Sequence, residues 1–315
     1  MIAKPYAKSL HAEALIALTR RLRKTHPKYT QMRDEMMQKN AGEIGEEVVM
    51  RELEKLKLPH KFYIFHNVSL YSETNFQMDI LLISPYYAVI LEVKNITGEI
   101  EISTNPSMLV YTKPNGEQKS IRSPVPQLED YVYQLSQLFK QHKISIPIYG
   151  AVTFAFAKSY VKKVPTNTVI LLTNELRRFI RSINAEKPIL SAEQLDKVKN
   201  WLLHKNNEYN SLPLSKHYAI DPLDIVTGVE CPNCGYIGMK KIIRNWTCPN
   251  CEKFSKHAHE KTLKDYFLIY KETINNKECR RFFHLQDKHD ATRILMNPKL
   301  IKSGKARNTK YTMTY

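Results

Sequence analysis

The sequence has no apolar run long enough to cross a lipid bilayer. Its longest mostly apolar stretch covers residues 148–157, about half of the roughly 20 residues that a spanning helix needs. The N-terminal residues, MIAKPYAKSLHAEAL, lack the apolar centre of a secretory signal peptide. These absences predict a cytoplasmic protein that is neither secreted nor embedded in a membrane.

Glycine, proline and cysteine are also scarce. Nine glycines and 16 prolines among 315 residues exclude collagen-like and flexible-linker classes of protein. Five cysteines are too few for a disulfide framework, and their odd number favours reduced thiols in the cytosol. A chain of this length has room for roughly two or three domains.

Acidic residues are outnumbered, at 31 Asp and Glu against 48 Lys and Arg, which gives a net charge of +17. The excess lies at the two ends, because residues 1–40 hold 9 basic and 3 acidic side chains and residues 228–315 hold 18 and 8. Lys and Arg release condensed counterions when they bind phosphates, so basic ends suit a nucleic-acid partner. A generally basic soluble protein without such a partner is the alternative interpretation.

Apolar periodicity predicts an α/β core with a mixed sheet. We expect short strands between residues 61 and 112, and further strands and helices at 147–157, 168–172, 9–24, 42–58, 124–142, 174–182 and 191–205. The predicted organisation is a basic helical segment over 1–40, an α/β domain over 41–205 and a linker over 206–227. The linker prediction depends on its Asn, Ser and Pro content.

Two carboxylates interrupt otherwise apolar strands. Asp79 lies in QMDILLI, and Glu92 and Lys94 end the strand AVILEVK. Residues two apart in a strand share a face, so Glu92 and Lys94 point the same way, and a turn at 84–86 would bring Asp79 beside them. Buried carboxylates are costly unless they are paired or bind a metal, and their oxygens suit a hard cation such as Mg²⁺. Lys94 could position or deprotonate an attacking water. A buried Asp–Lys ion pair with a Glu at the strand edge is the alternative.

Two neighbouring segments add candidate residues. Glu46 lies in GEIGEE at the start of the preceding predicted helix, where it either interacts with the helix dipole or reaches the metal. Gln127 and Tyr131 share one face of the following predicted helix, where they could join the site. The alternative interpretation is a solvated face with one packed Tyr.

The segments GEIGEEVV, QMDILLIS and YAVILEVKNITGEI together resemble the nuclease-related domain (NERD) family, a branch of the PD-(D/E)XK nuclease superfamily. The resemblance covers residues 40–130. It implies a restriction-endonuclease-like α/β core that hydrolyses phosphodiester bonds with Mg²⁺ or Mn²⁺. It also implies that Asp79, Glu92 and Lys94 are catalytic, that Asp79 and Glu92 hold the metal, and that Glu46 and Gln127 assist them. Met precedes Asp79, where the family pattern has Pro.

Two CPNC motifs lie thirteen residues apart and supply Cys231, Cys234, Cys248 and Cys251. Each motif offers two thiolates from one turn, and two such turns complete a tetrahedral Zn²⁺ site. We therefore predict a zinc ribbon over 228–258, with a redox-active CxxC pair as the alternative. Two histidines just beyond the second motif, His257 and His259, could compete as zinc ligands. Between the motifs, Lys240, Lys241, Arg244 and Trp246 could contact nucleic acid, although Trp246 could instead pack within the ribbon.

Residues 260–315 resemble a winged helix-turn-helix domain. A helix capped by Asn275 or Asn276 precedes a second helix capped by Asp287, and a basic hairpin follows. The predicted nucleic-acid contacts are Lys288, Thr292 and Arg293 on the second helix and Lys302, Lys305, Arg307 and Lys310 on the hairpin. Cys279 is expected in the core. A disordered basic tail is the alternative. If deletion of residues 260–315 left the salt dependence of DNA binding unchanged, the DNA site would lie elsewhere, with the N-terminal helix around Arg20, Arg21, Arg23 and Lys24 as the candidate.

The sequence therefore predicts a metal-dependent nuclease that acts on duplex DNA and carries a structural zinc. Two alternatives stay open at this point. One is a DNA-binding regulator on an inactive nuclease fold, and the other is an RNA-processing factor.

Overall fold

The computed structural model describes residues 1–156, 159–208 and 211–315, and it leaves out the side chain of Arg307. The last residue of the predicted strand 147–157 and residues 209–210 of the predicted linker lie outside the described residues. The helices are α1 (Leu10–Arg21), α2 (Tyr29–Leu53), α3 (Pro124–Gln141), α4 (Leu176–Ser182), α5 (Ala192–Lys205), α6 (Leu214–His217), α7 (Ala258–Ile269), α8 (Asn276–Phe283) and α9 (Lys288–Leu295).

The strands follow the same chain order. They are β1 (Ile2–Lys4), β2 (Tyr63–Tyr71), β3 (Asn75–Ile83), β4 (Ala88–Lys94), β5 (Gly98–Thr104), β6 (Ser107–Thr112), β7 (Gln118–Arg122), β8 (Ile148–Phe154), β9 (Ser159–Lys163), β10 (Val169–Leu172), β11 (Val229–Glu230), β12 (Ile237–Ile242), β13 (Asn245–Thr247), β14 (Leu300–Ser303) and β15 (Lys310–Met313). Within the described part of the chain, no helix is both long and apolar enough to span a membrane.

The chain folds as two compact units. The first contains Met1–Ala7 and Asn40–Tyr209, and the second contains Lys8–Lys39 and Asn210–Tyr315. Residues 8–39, part of the basic helical segment predicted over 1–40, pack within the second unit. The domain boundaries drawn from the sequence stay predictions.

Helix α2 is longer than the helix predicted from residue 42. It begins at Tyr29, because the segment 29–41 holds no proline or glycine and is rich in residues of high helix propensity. Met32 in this added part is fully buried in the core of the second unit.

The first unit is built on a six-stranded sheet in the order β1-β2-β3-β4-β8-β10. Strand β1 runs parallel to β2, the β2–β3 and β3–β4 pairs are antiparallel, and β4, β8 and β10 run parallel. The predicted mixed-sheet α/β fold is therefore confirmed. Strand β4 lies at the interior of the sheet, between β3 and β8.

Helices cover both faces of this sheet, which explains why its inner strands are apolar on both sides. Along β3 and β4, successive residues alternate between two cores. Leu81 and Ile90 pack with α3 and α5, while Ile80 and Leu91 pack with α2 and α4. Any polar side chain at the interior of these strands is therefore surrounded by apolar residues unless it lies near a strand end.

A second sheet of the first unit has the order β7-β6-β5-β9. Strands β5 and β6 follow the prediction, but β7 is missing from it. Every residue of β7 is exposed, so its sequence QKSIR lacks the alternation of apolar and polar residues that identifies a half-buried strand. It forms by pairing with β6.

The second unit combines a three-stranded sheet, β11-β12-β13, with helices and a two-stranded hairpin, β14-β15. Part of the predicted linker is folded here. Leu214, Ile220 and Ile225 are buried against α1, because their side chains are apolar. The linker prediction followed the Pro and Ser content of the segment and overlooked these three residues.

A buried arginine organises the second unit. Arg21 of α1 is fully buried, and its Nε donates to Asp265 Oδ2 of α7 at 3.0 Å. Its Nη1 donates to the carbonyl oxygen of Gly228 at 3.0 Å, and its guanidinium lies 5.5 Å from the ring centre of Phe282. Arg21, one of the four basic residues of the alternative DNA site on the N-terminal helix, is thus unavailable to DNA.

We predict that Arg21→Ala lowers the free energy of unfolding of the second unit by about 3 kcal/mol. The variant removes the hydrogen-bonded partner of the buried Asp265 carboxylate, which then keeps only the more distant ion pair with Arg20 at 3.8 Å. Urea unfolding followed by Trp246 fluorescence measures the change, in a Trp201→Phe background that removes the other tryptophan.

The exposed Arg23 gives a control, since Arg23→Ala removes the same charge from the end of the same helical region. The paired variant Arg21→Met with Asp265→Leu should recover most of the lost stability, because no charge is left unpaired. Equal unfolding free energies for Arg21→Ala and Arg23→Ala would contradict this role of the buried pair.

Candidate functional site

The pairing of β3 with β4 brings the two predicted carboxylates together. The register runs from Ile83–Ala88 to Ile80–Leu91, and one further step sets Asp79 opposite Glu92. The backbone N–H of Val93 donates to Asp79 Oδ2 at 2.8 Å. Both carboxylates follow the alternation of Leu81 and Ile90, so they share the sheet face that α3 covers.

Lys94 contacts Glu92 directly. Its Nζ donates to Glu92 Oε1 at 2.6 Å, and the Glu92 side chain is almost completely buried. The other oxygen, Oε2, is buried and has no hydrogen-bond partner within the described part of the chain. A buried carboxylate oxygen without a partner is costly, so the geometry leaves a vacant acceptor beside Asp79.

Burial and mutual repulsion disfavour the charged forms of both acids. Burial, together with the negative charges of Glu92 and Glu46, raises the pKa of Asp79 well above its usual range. Burial also raises the pKa of Glu92, although Lys94 and Gln127 oppose that rise. One lysine does not neutralise three neighbouring carboxylates, so Asp79 and Glu92 bind protons more readily than ordinary acids do, or a cation in their place.

Glu46 is held by a residue that the sequence analysis missed. Glu46 Oε2 lies 2.8 Å from His66 Nε2 of β2, and both side chains are buried. The ring of Tyr6 lies 4.9 Å from that of His66, and the Tyr6 hydroxyl donates to Glu43 at 3.4 Å. The available signal was a histidine inside the apolar strand YIFHNVSLY, but nothing local showed that it would meet α2.

Gly45 sets how closely α2 approaches the end of β4. A Cβ atom at this position would lie 2.9 Å from the Cβ of Asn95, which is closer than side-chain carbons pack. Asn95 in turn donates from Nδ2 to the carbonyl oxygen of Ala41 at 2.7 Å. The close approach at Gly45 and the hydrogen bond from Asn95 to Ala41 together hold α2, which carries Glu46, against the loop that follows Lys94.

Helix α3 brings Gln127 and Tyr131 to the same cluster. The helix begins after Ser123, whose side chain accepts the N–H of Val125, and Gln127 Nε2 donates to Tyr131 Oη at 2.9 Å. Burial and the negative charge of Glu92 raise the pKa of Tyr131 to about 12. Tyr131 is therefore a neutral hydrogen-bonding group beside the acids.

The acidic cluster suits an open metal site better than a closed one. Among the described residues, the four cysteines are the one group that brings three or more candidate ligand atoms together. The carboxylates do not form a cage, but Mg²⁺ commonly uses one or two carboxylates and keeps water and substrate oxygens as its other ligands. The unpartnered Oε2 of Glu92 and the raised pKa of Asp79 fit such an ion.

The four predicted zinc ligands converge. Their sulfur atoms all lie within 4.8 Å of one another, at 3.7 Å for Cys231–Cys251 and 3.6 Å for Cys234–Cys248. A tetrahedral ion with Zn–S bonds of about 2.3 Å requires sulfur atoms about 3.8 Å apart. The group is therefore compatible with a zinc ribbon, as the spacing of the motifs predicts.

The Asn side chain of each CPNC motif donates a hydrogen bond to a cysteine of the other motif. Asn233 Nδ2 donates to Cys251 Sγ and Asn250 Nδ2 donates to Cys234 Sγ, each at 3.5 Å. The Asn250 amide, with the N–H of Tyr236, lowers the pKa of Cys234 to about 6. Hydrogen bonds of this kind favour thiolates and orient metal ligands.

Trp246 and the two histidines of the zinc region make structural contacts. Trp246 is buried and donates from Nε1 to His259 Nδ1 at 3.2 Å, and His257 pairs with Glu260 at 2.7 Å. Neither histidine is among the ligand group. Cys279 is buried in the core as predicted, and burial raises its pKa to about 12.

The predicted helix, turn, helix and hairpin are present at the C-terminus. Helix α8 has an Asn275–Glu278 capping box, Asp287 caps α9, and Ile274 bridges to Tyr311 of β15. Its assignment as a winged helix stays a prediction. The candidate DNA contacts are exposed, namely Lys288, Thr292, Arg293, Lys302, Lys305 and Lys310, while the side chain of Arg307 lies outside the described part of the chain.

Comparison with known proteins finds a family match within the first unit. Residues 41–155 match the family model described as "Nuclease-related domain", which confirms the resemblance drawn from the sequence. No curated protein matches the chain significantly. Among solved structures, the chain is similar to the crystal structure of protein VC1899 from Vibrio cholerae, at 8% sequence identity and a TM-score of 0.22. That match covers 58% of this chain and 38% of the other, so the chain spans well under half the length of that protein.

We predict that the purified protein contains about one zinc per chain. Cys231→Ser should release the zinc and increase the exposure of Trp246, because the metal supplies much of the folding free energy of so small a region. Elemental analysis and tryptophan fluorescence provide the two measurements.

Cys279→Ala is the control, because that thiol lies in the apolar core outside the ligand group. It should keep its zinc. The absence of zinc from the parent protein, or equal zinc contents in both variants, would contradict the assignment.

Proposed function

We propose that this protein is a nuclease that uses a divalent metal ion to hydrolyse phosphodiester bonds in DNA. The observation that carries the proposal is the pair of the half-buried Asp79 and the buried Glu92, held side by side with Lys94 bound to Glu92. The nuclease-related match over residues 41–155 supports this reaction class.

In this proposal, Asp79 and Glu92 hold Mg²⁺ or Mn²⁺ through carboxylate oxygens. The bound ion would polarise the phosphate and lower the pKa of a coordinated water. Glu46 completes the negative cluster, and His66 keeps its carboxylate in place. Since both carboxylates of the pair are disfavoured as anions without a cation, they bind the ion with release of protons.

Lys94 supplies the positive charge of the site. Its ammonium group orients the attacking water and offsets the negative charge that develops on the phosphate. Gln127 and Tyr131, on the facing helix, hydrogen-bond to each other and border the carboxylates. We assign Gln127 the role of holding the water or the phosphate in line with the metal.

The second unit would bind the duplex. Helix α9 presents Lys288, Thr292 and Arg293 to solvent, and the β14–β15 hairpin presents lysines whose charge suits the phosphate backbone. Free thiols at the zinc site suit a reducing compartment such as the cytoplasm.

We predict that Asp79→Asn and Glu92→Gln abolish cleavage, because each removes a metal-binding charge. Lys94→Ala should lower the rate by on the order of 10²-fold, as loss of one electrostatic stabiliser does. The measurement is the rate of cleavage of plasmid, linear duplex, single-stranded DNA and RNA with Mg²⁺ or Mn²⁺.

Glu129→Gln provides the control, since it removes a charge from an exposed position on α3. It should cleave like the parent. An Asp79→Asn variant that cleaves like the parent would contradict the site. A parent that binds duplex DNA but cleaves none of these substrates would instead support a DNA-binding regulator.

We further predict that the triple variant Lys302→Gln, Lys305→Gln and Lys310→Gln weakens binding to all duplexes alike. Phosphate contacts carry no sequence information. The logarithm of the affinity should depend less steeply on the logarithm of the salt concentration, by about one unit of slope for each phosphate that is no longer neutralised. Fluorescence anisotropy at several salt concentrations measures both effects.

A matched triple variant in the first unit removes the same charge from the exposed Lys140, Lys143 and Lys187. It should keep most of the affinity and slope. Equal losses in the two triple variants would show that total charge, rather than the hairpin, determines binding.

A further inference from the structure

Helix α9 borders two cavities of the second unit. On one side, Thr292 lines a cavity of about 410 Å³ together with Lys302 and Thr309 of the β14–β15 hairpin region. On its other side, Asp290 and Arg293 line a larger cavity of about 790 Å³. The opposite wall of this larger cavity is the β12–β13 hairpin, which lies between the two CPNC motifs.

The tip of the β12–β13 hairpin has an unusual composition. Ile242 pairs with Asn245, so Ile243 and Arg244 form a two-residue turn. Such turns favour Gly, Asn or Asp, yet here Arg244 adopts a positive φ of 56° and the β-branched Ile243 precedes it. Ile243 is 92% exposed, so this residue contributes no packing that would explain its presence in the turn.

The charge of the larger cavity is predominantly positive. Among the described residues, Arg244 and Lys256 have no acidic partner, and both line the cavity. The two acidic residues that line the cavity, Asp287 and Asp290, already have partners. Asp287 accepts the N–H of His289 at 2.9 Å, and Asp290 pairs with Arg293 at 3.0 Å.

The hairpin is held rigidly at its base. Lys241 Nζ donates to the carbonyl oxygen of Ile242 at 2.7 Å and lies 5.6 Å from the ring centre of the buried Trp246. Strand β13 leads directly to Cys248, one of the four candidate zinc ligands. The exposed tip is thus carried on a short, anchored element.

We propose that the β12–β13 hairpin is a second wing for duplex DNA. The inference rests on the proposed DNA-binding function of this unit and extends it. With α9 in the major groove, the β14–β15 hairpin contacts the backbone on one side and the β12–β13 hairpin contacts it on the other. Arg244 and Lys256 neutralise phosphates there, and Ile243 enters the adjacent minor groove and wedges between base pairs, as apolar side chains of architectural proteins do.

The occupant is duplex DNA because positive charge, a projecting apolar residue and a helix with exposed polar side chains occur together. The proposal also gives the zinc a role in recognition, since the metal fixes the element that carries Ile243. Neither feature is needed for cleavage at Asp79 and Glu92.

The experiment uses the full-length, zinc-loaded protein without added Mg²⁺ or Mn²⁺, so that binding is measured apart from cleavage. Anisotropy at several salt concentrations measures affinity and salt slope, and energy transfer between labelled duplex ends measures bending. The double variant Arg244→Gln with Lys256→Gln should lose about one to two units of salt slope and about tenfold in affinity. Ile243→Ser should keep the slope but lose the bend, which Ile243→Leu should retain.

Two ribbon residues outside the cavity provide matched controls. Phe254 is a 65% exposed apolar residue and Lys253 is an exposed cation, so Phe254→Ser and Lys253→Gln should behave like the parent. Unchanged bending in Ile243→Ser with an unchanged slope in the double variant would overturn the second wing, as would equal losses in the controls. A preference of the parent for single strands or RNA would overturn the choice of duplex. A parent that binds no duplex would contradict the proposed function itself.

Discussion

The placement of two adjacent carboxylates within an apolar sheet, Glu92 buried and Asp79 half-buried, is the constraint on which the first unit depends. Asp79 and Glu92 lie on the interior strands of a sheet that is apolar on both faces. Isolated charges in such surroundings cost several kcal/mol each, so they persist only where partners compensate them. Lys94 and the N–H of Val93 compensate part of this charge, and the unpartnered oxygen of Glu92 marks the part that remains. The divalent cation that we propose for this site would satisfy that remainder.

The second unit solves a different problem, because its zinc region is too small to fold on apolar burial alone. Two devices compensate. The four cysteine sulfurs stand at the separations that a tetrahedral zinc requires, and a fully buried arginine ties α1 to α7. Both devices fix backbone segments that lead to exposed basic hairpins. Stability of the core and placement of the candidate DNA-binding surface are therefore linked within this unit.

Local patterns predicted the elements whose information is local. The alternation of β3 and β4 and the turn between them were enough to set Asp79 beside Glu92, and the repeated CPNC motif was enough to identify four converging thiols. The caps at Asn275 and Asp287 likewise fixed the starts of α8 and α9. Each of these features depends on residues within a short stretch of chain.

Features created by distant partners could not be predicted in this way. Arg21 resembles a solvent-exposed cation on a basic helix until α7 supplies Asp265, which lies 244 residues further along the chain. His66 becomes a site residue only because α2 brings Glu46 to it, and β7 becomes a strand only because β6 pairs with it. Polar residues gave misleading local signals in each case, since polar side chains usually indicate exposed surface.

Manganese binding, measured without nucleic acid, tests the central claim most directly. The loss of the electron paramagnetic resonance signal of free Mn²⁺ gives the number of bound ions in zinc-loaded protein. The account predicts that the parent binds about one Mn²⁺ with release of protons, and that Glu92→Gln loses this binding while keeping its zinc. Equal Mn²⁺ binding by the parent and Glu92→Gln, or none by the parent, would contradict it.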